Sequence, residues 1–115
     1  MHELSIAMSI VELAEEESER RGGLQITAVH LRLGLLAGVV KDALLSSYEM
    51  ACVDTPLAGS QLIVEEVPGV VYCPACAGRR PVHSSKWFCC SECGALASEI
   101  VQGKELEIVS LEVEE

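Results

Sequence analysis

The stretch Cys73–Gly94 reads CPACAGRRPVHSSKWFCCSECG and holds two CxxC pairs with thirteen residues between them. Two such pairs at this separation are typical of a structural zinc site, because each turn brings two thiolates to one ion and the two turns complete a tetrahedron. Residues 70–103 are too few to be stabilised by a core of their own, whereas bound zinc contributes roughly 10 to 16 kcal/mol. We therefore expect a zinc-ribbon module whose four ligands are Cys73, Cys76, Cys90 and Cys93.

The remaining cysteines leave alternatives open. Cys89 adjoins Cys90 and could replace it in a CxxxC turn with Cys93, but Cys90 repeats the spacing of the first pair. An iron–sulfur centre could use the same four thiolates, whereas a disulfide framework is not expected in the cytosol. Cys52 is expected to be a small core residue. His83 is expected to be a surface loop residue that could contribute to a second metal site.

Outside this module, the periodicity of apolar residues predicts an α+β fold with two helices and a small three-stranded antiparallel sheet. The helices are expected over residues 3–21 and 41–52, and the strands over residues 25–34, 60–67 and 104–113. Because the cysteine segment lies between the second and third strands, its ends must meet if those strands pair, so it behaves as an insertion. We expect two domains: residues 1–69 with 104–115, and residues 70–103.

The first helix is expected to bury one apolar stripe and to expose its glutamates. Its apolar residues recur three or four positions apart, which is the spacing of one helix face, at Leu4, Met8, Val11 and Ala14. Gly22-Gly23 then ends the helix, because glycine readily adopts left-handed backbone conformations. In the last strand the alternation of apolar residues shifts by one position after Ile108, which indicates a β-bulge.

Charge and hydropathy exclude several classes of protein. Lys and Arg number 8 against 18 Asp and Glu, a formal charge of −10, which opposes binding to the phosphates of nucleic acid. The longest apolar run, residues 34–40, is far shorter than the roughly 20 residues that a membrane-spanning helix needs. The first residues carry neither the basic region nor the cleavage site of a signal peptide. We therefore expect a cytoplasmic protein without a membrane or nucleic-acid partner.

The chain begins Met1-His2-Glu3, and this start could itself bind a metal ion. The α-amine, the amide nitrogen of His2 and its imidazole can hold one cation together, in a five-membered and a six-membered chelate ring. Glu3 can complete the set, and such nitrogen-rich donors suit Ni(II) or Cu(II). The alternative is that His2 is merely solvated and that Glu3 favours the positive end of the helix dipole.

Together these features resemble the HypA/HybF family of hydrogenase maturation nickel chaperones. The resemblance covers nearly the whole chain and is most specific where the two CxxC pairs follow an amino-terminal Met-His-Glu. Besides the CxxC pairs, the matching segments are Met1–Ser5, Leu31–Gly34, Gly38–Val39, Val67–Pro68 and Glu105–Glu112.

The resemblance implies a carrier of nickel rather than an enzyme. It implies that Met1, His2 and Glu3 bind Ni(II), that the four cysteines hold structural zinc, and that nickel passes to the large subunit of a [NiFe]-hydrogenase. It also implies a HypB-type GTPase as a partner. The chain could act as a monomer or as a homodimer.

This chain departs from the family's pattern in the loop that follows the first strand. The family commonly carries a glutamate where this chain has Leu35, and some members carry an aspartate where it has Val40. The loop therefore lacks the carboxylates that the family's pattern would supply, and Asp42, at the start of the second helix, is a nearby candidate.

A zinc-ribbon adaptor or a nucleic-acid-binding protein is the alternative function. The basic residues Arg79, Arg80 and Lys86 of the module could meet phosphates. Two glutamates oppose them, which leaves residues 70–103 with a local charge of only about +1. This charge is too small by itself to attract the phosphates of a nucleic acid. An enzyme is not expected, because the sequence contains no nucleophile-base set and no phosphate-binding glycine loop. The closed four-thiolate site also has no open position for a water nucleophile.

Overall fold

The computed structural model describes residues 2–82, 89–97 and 99–114. In this part of the chain two helices and six strands follow in the order α1 (Glu3–Arg20), β1 (Ile26–Gly34), α2 (Lys41–Cys52), β2 (Gln61–Val67), β3 (Gly69–Cys73), β4 (Gly78–Val82), β5 (Glu99–Gln102) and β6 (Leu106–Val113). The strands form two three-stranded sheets, with the orders β2-β1-β6 and β4-β3-β5. The predicted α+β fold is confirmed, and the module inserted between β2 and β6 contains the second sheet.

The chain divides into two compact units. One consists of Met1–Leu31, Val39–Glu65 and Glu107–Glu115, and the other of Arg32–Gly38 and Glu66–Leu106. The second unit therefore includes the end of β1 and the loop after it, besides the cysteine segment. The predicted domain boundaries, after residues 69 and 103, stay a prediction.

Helix α1 buries only part of the apolar stripe that its sequence predicts. Leu4 and Met8, which were expected in the apolar stripe, are 42% and 58% exposed, so this part of the prediction is wrong. The buried positions also recur at helical spacing, and two of them are alanines that let α1 pack closely against α2. They are Ala7, Ile10, Val11 and Ala14.

Helix α2 completes the core of the first unit. It buries Leu44, Tyr48 and Cys52, which follow one another about one turn apart. The Tyr48 hydroxyl lies 2.7 Å from the hydroxyl of Ser60, so the buried phenol oxygen has a partner. The prediction that Cys52 is a core residue is confirmed, because it is buried at this position.

Within the second unit, the loop that follows β1 makes backbone hydrogen bonds with the segment before β6. The N–H of Gly34 donates to the carbonyl of Glu105, and that of Leu36 to the carbonyl of Gly103, both at 2.7 Å. A Cβ atom on Gly34 would lie 2.0 Å from the carbonyl oxygen of Gly103, so this approach requires glycine. Leu36 then packs with two buried residues of the second sheet, Val71 and Val82.

Candidate metal sites

The four cysteines of the two CxxC pairs converge on one point. Their Sγ atoms all lie within 4.8 Å of one another, with 3.6 Å between Cys73 and Cys93 and 3.9 Å between Cys76 and Cys90. Four sulfurs in a tetrahedron about 2.3 Å from one zinc ion are about 3.8 Å apart. The observed separations therefore fit a single ion better than an iron–sulfur cluster, whose own atoms would have to be accommodated between the thiolates.

The first knuckle is formed where β3 turns into β4. Cys73 is the last residue of β3 and pairs with Gly78 at the start of β4. In the turn between them, the N–H of Cys76 donates to the sulfur of Cys73 at 3.4 Å. Ala77 completes the turn with a left-handed φ of 51°. The hairpin itself therefore brings the first two sulfurs together.

The second knuckle is formed by residues 90–94, within the described segment 89–97. The N–H groups of Glu92 and Cys93 donate to the sulfur of Cys90 at 3.4 and 3.5 Å. Gly94, with a φ of 76°, closes the turn by donating to the carbonyl of Cys90. Both knuckles therefore aim backbone donors at the first sulfur of the pair, an arrangement that favours a thiolate.

The sulfurs of the cluster differ in their affinity for protons. The pKa of Cys90 is lowered to about 6, chiefly because the N–H of Cys93, and also that of Glu92, donates to its sulfur. The pKa of Cys76 is raised to about 12, because its thiol hydrogen-bonds the sulfurs of Cys93 and Cys90. Four thiolates this close repel one another, so a divalent cation would bind by displacing protons.

Cys89 lies outside the cluster. It forms an isolated β-bridge with Leu96, while the N–H of its neighbour Cys90 donates to the carbonyl of Ala95 at 2.8 Å. The structure thus brings Cys90, the residue preferred on spacing, to the other three sulfurs. His83, considered as a contributor to a second metal site, lies outside the described residues.

The second candidate site is the start of α1. His2 is the N-cap of this helix, and its carbonyl accepts a hydrogen bond of 3.2 Å from the N–H of Ile6. Its side chain is exposed and makes no capping hydrogen bond. Met1, the third predicted nickel ligand, lies outside the described residues. The backbone of His2 therefore belongs to the helix, while its imidazole projects into solvent.

Glu3 makes a contact that the sequence does not predict. One of its carboxylate oxygens accepts a hydrogen bond of 3.2 Å from the backbone N–H of Val40. This donor lowers the pKa of Glu3, with a further contribution from the amide of Glu3 itself. Val40 is the N-cap of α2, so the carboxylate is fixed between the starts of two helices. A backbone donor 37 residues away has no signal in the sequence.

The loop after β1 and the start of α2 contain the other positions that were considered for nickel ligands. Asp42 is exposed in the first turn of α2, and Leu35 and Val40 are exposed apolar residues. His30 lies 3.2 Å from the carboxylate of Glu112. Among the described residues, no helix is both long and apolar enough to cross a membrane.

Comparisons with known proteins agree on one family. A family model described as "Hydrogenase/urease nickel incorporation, metallochaperone, hypA" matches residues 1–113. The hydrogenase maturation factor HypA of Roseiflexus sp. (strain RS-1) is 48% identical, over 100% of this chain and 94% of its own length. That of Chloroflexus aurantiacus is 50% identical, over 97% of this chain and 98% of its own length.

A solved structure supports the fold. The solution structure of the Ni metallochaperone HypA from Helicobacter pylori superimposes with a TM-score of 0.67 at 23% identity. The superposition covers 98% of this chain and 97% of that one, so the architecture is common to the full length of both. The chain belongs to the HypA family of nickel-incorporation metallochaperones, which serve hydrogenase maturation and are not enzymes.

Proposed function

We propose that this protein carries Ni(II) at its amino terminus and delivers it to the large subunit of a [NiFe]-hydrogenase. The ligands would be the α-amine of Met1, the imidazole of His2 and the amide or carboxylate of Glu3. The hydrogen bond between Val40 and Glu3 is the observation that most supports this site. It holds the carboxylate in its charged form and in one place, as a ligand for a cation requires.

A terminal chelate suits a carrier because its ligands are accessible to a partner. The His2 side chain is exposed, and one carboxylate oxygen of Glu3 remains for a cation when Val40 engages the other. Amine, amide and imidazole nitrogens favour Ni(II) over harder cations such as Mg²⁺. A ligand set at the end of a chain can also exchange its ion without unfolding a core.

The four-cysteine cluster would hold structural Zn²⁺ through Cys73, Cys76, Cys90 and Cys93. Its sulfur separations support a single tetrahedral ion, and zinc there would crosslink the two knuckles of a small module. Four thiolates complete the coordination shell. The transferable ion therefore needs a different site, which the amino terminus supplies.

The partners would be those of a nickel relay in the cytoplasm. A HypB-type GTPase would cooperate in loading or release, and the hydrogenase large subunit would receive the ion. A homodimer remains compatible with this role, and neither a membrane nor nucleic acid is required. The nickel site would belong to a domain of residues 1–69 and 104–115, and the zinc site to a domain of residues 70–103.

Nickel titration of two matched proteins tests the terminal chelate. One begins at Met1, and the other carries one additional residue before it, which moves the α-amine and leaves the fold intact. We expect the native start to bind one Ni(II) and the extended form to bind it at least roughly tenfold more weakly, because a chelate ring is lost. His2→Ala should weaken binding similarly.

Zinc content measured on the same samples provides the control. It should be one ion per chain in all three proteins, because none of the changes touches a cysteine. Equal nickel affinity in the native and extended forms would contradict the terminal chelate, whatever the zinc content.

A further inference from the structure

Arg80 lies on the side of the β3–β4 hairpin that bears the first knuckle. In this hairpin Arg80 pairs with Val71 and Gly78 pairs with Cys73. Residues directly opposite one another in an antiparallel pair share a face, and alternate residues of a strand do so too. Arg80 therefore shares the face of Cys73 and Val71, both of which are buried, while Arg79 lies on the opposite, exposed face.

The guanidinium of Arg80 bends back along β4 towards the cluster. Its Nη1 atom lies 3.0 Å from the point where a Cβ atom of Gly78 would be, so the missing side chain of that glycine makes room for it. The same Nη1 donates to the carbonyl of Arg79 at 2.8 Å. Burial lowers the pKa of Arg80, but a hydrogen bond to the sulfur of Cys76 and the charges of Cys76, Glu92 and Cys90 raise it more.

A cation in this place needs a compensating negative charge. Arg80 is only partly buried, and a charged group in such surroundings is more favourable when it is paired with an opposite charge. Among the described residues, the Nε atom of Arg80 is buried and has no hydrogen-bond partner. A zinc ion with four thiolates carries a net charge of about −2, which would supply the missing counter-charge.

We infer that Arg80 is a positioning residue of the zinc centre, whose guanidinium donates to the thiolate of Cys76 and neutralises part of the charge of the four-thiolate site. The inference rests on the zinc site of the proposed function. A donor on a ligating sulfur makes that sulfur a weaker nucleophile, so zinc is held more tightly and passes more slowly to competing ligands. Gly78 contributes to this arrangement, because any larger residue at this position would displace the guanidinium of Arg80.

The variant Arg80→Gln tests this role, with Arg79→Gln as its matched control. Both remove one positive charge from neighbouring positions of β4, but only the first removes the donor to Cys76. We expect Arg80→Gln to lose roughly 10- to 100-fold in zinc affinity, as outer-shell changes commonly cause, and to transfer zinc faster to a chromogenic chelator. Arg79→Gln should stay within about twofold of the native protein, because its side chain is solvated.

Cobalt substitution separates this role from a merely structural one. In the Co(II)-loaded proteins, the sulfur-to-metal charge-transfer bands of Arg80→Gln should shift to lower energy, because a thiolate without its donor gives up electrons more easily. Arg79→Gln should keep the native spectrum. If Arg80→Gln does not fold, Arg80→Lys and Arg79→Lys provide the same comparison, with shifted bands expected in the first alone because lysine lacks the planar donor set.

The outcomes separate this inference from the function on which it rests. Superimposable cobalt spectra and equal zinc affinities in the Arg79 and Arg80 variants would overturn the role of Arg80 and leave the zinc site intact. A native protein that binds no zinc would instead refute the zinc site itself.

Discussion

The N–H of Val40 donates a hydrogen bond of 3.2 Å to the carboxylate of Glu3, and it thereby connects the first residue of α1 to the residue that caps α2. The loop after β1 therefore contributes to the proposed nickel site through its backbone.

Replacing Val40 with proline should weaken nickel binding without unfolding α2. Proline has no N–H, and its preferred φ of about −65° is close to the φ of −84° at Val40. The N–H of an N-cap residue makes no hydrogen bond within its helix. We expect nickel affinity to fall by roughly three- to tenfold, because Glu3 loses its charge-assisted hydrogen bond.

Isothermal titration calorimetry measures the effect, and Val40→Ala, which keeps the N–H, is its control. The pKa of Glu3 should also rise towards its ordinary value in Val40→Pro, which carboxyl NMR shifts can follow. Identical nickel affinities in the proline and alanine variants would show that this hydrogen bond does not support the site.

Zinc binding should release more protons as the pH falls through about 6. Above this pH, Cys90 is a thiolate before zinc arrives, since its pKa is lowered to about 6. Below it, Cys90 carries a proton that zinc must displace, so the number of protons released per zinc increases by about one. Apparent zinc affinity should therefore decrease more steeply with falling pH below 6 than above it.

Calorimetry in buffers of different ionisation enthalpy measures this proton release. Cys52→Ser is a suitable control, because it removes a thiol that is not part of the cluster. A proton release that stays constant between pH 5.5 and 7.5 would contradict the assignment of an early-ionising thiol to Cys90.

Gly34→Ala should destabilise the protein much more than Gly38→Ala. A Cβ atom on Gly34 would lie 2.0 Å from a backbone oxygen of Gly103, whereas nothing lies within 4 Å of one on Gly38. At Gly38 the cost is only that of a left-handed backbone, about 1 to 2 kcal/mol. At Gly34 two backbone segments must separate, for which we expect about 3 kcal/mol or more.

Urea unfolding of the zinc-loaded variants measures the two free energies of unfolding. Because Gly34 donates to Glu105 and Leu36 to Gly103, the amides of Gly34 and Leu36 should also exchange faster in Gly34→Ala. Equal free energies of unfolding for the two alanine variants would mean that the close approach of the backbones at Gly34 and Gly103 contributes little to stability.

Sequence patterns predicted the parts of this protein that depend on local spacing. The CxxC pairs indicated the cluster of four sulfurs, and apolar periodicity indicated both helices and the three strands of the first sheet. The half-buried positions of β6 are Leu106, Ile108 and Leu111, and the bulge expected in this strand stays a prediction. In each case the signal lies in residue types a few positions apart, where chain geometry leaves few choices.

The remaining features depend on contacts between distant residues or on small side chains. The buried face of α1 includes Ala7, which adds little hydrophobicity and so does not stand out in a pattern. Strand β4 reads GRRPV, which has none of the usual features of a strand until it pairs with β3. Arg80 lies on the face of the cluster because of its register with β3. The sequence does not indicate this register, so it could not predict the position of Arg80.

Cys90→Ser should remove most zinc binding, whereas Cys89→Ser should leave it unchanged. The sulfur of Cys90 is 3.9 Å from that of Cys76 and accepts two backbone hydrogen bonds, while Cys89 lies in a β-bridge outside the cluster. Serine is a much poorer zinc ligand than thiolate, so Cys90→Ser should lose at least roughly 100-fold in affinity and much of the stability of the module. Elemental analysis after dialysis against a weak chelator, with circular dichroism of each variant, compares the two. Zinc retained by Cys90→Ser and lost by Cys89→Ser would reverse the assignment, and zinc retained by both would mean that the two neighbouring thiols can substitute for each other.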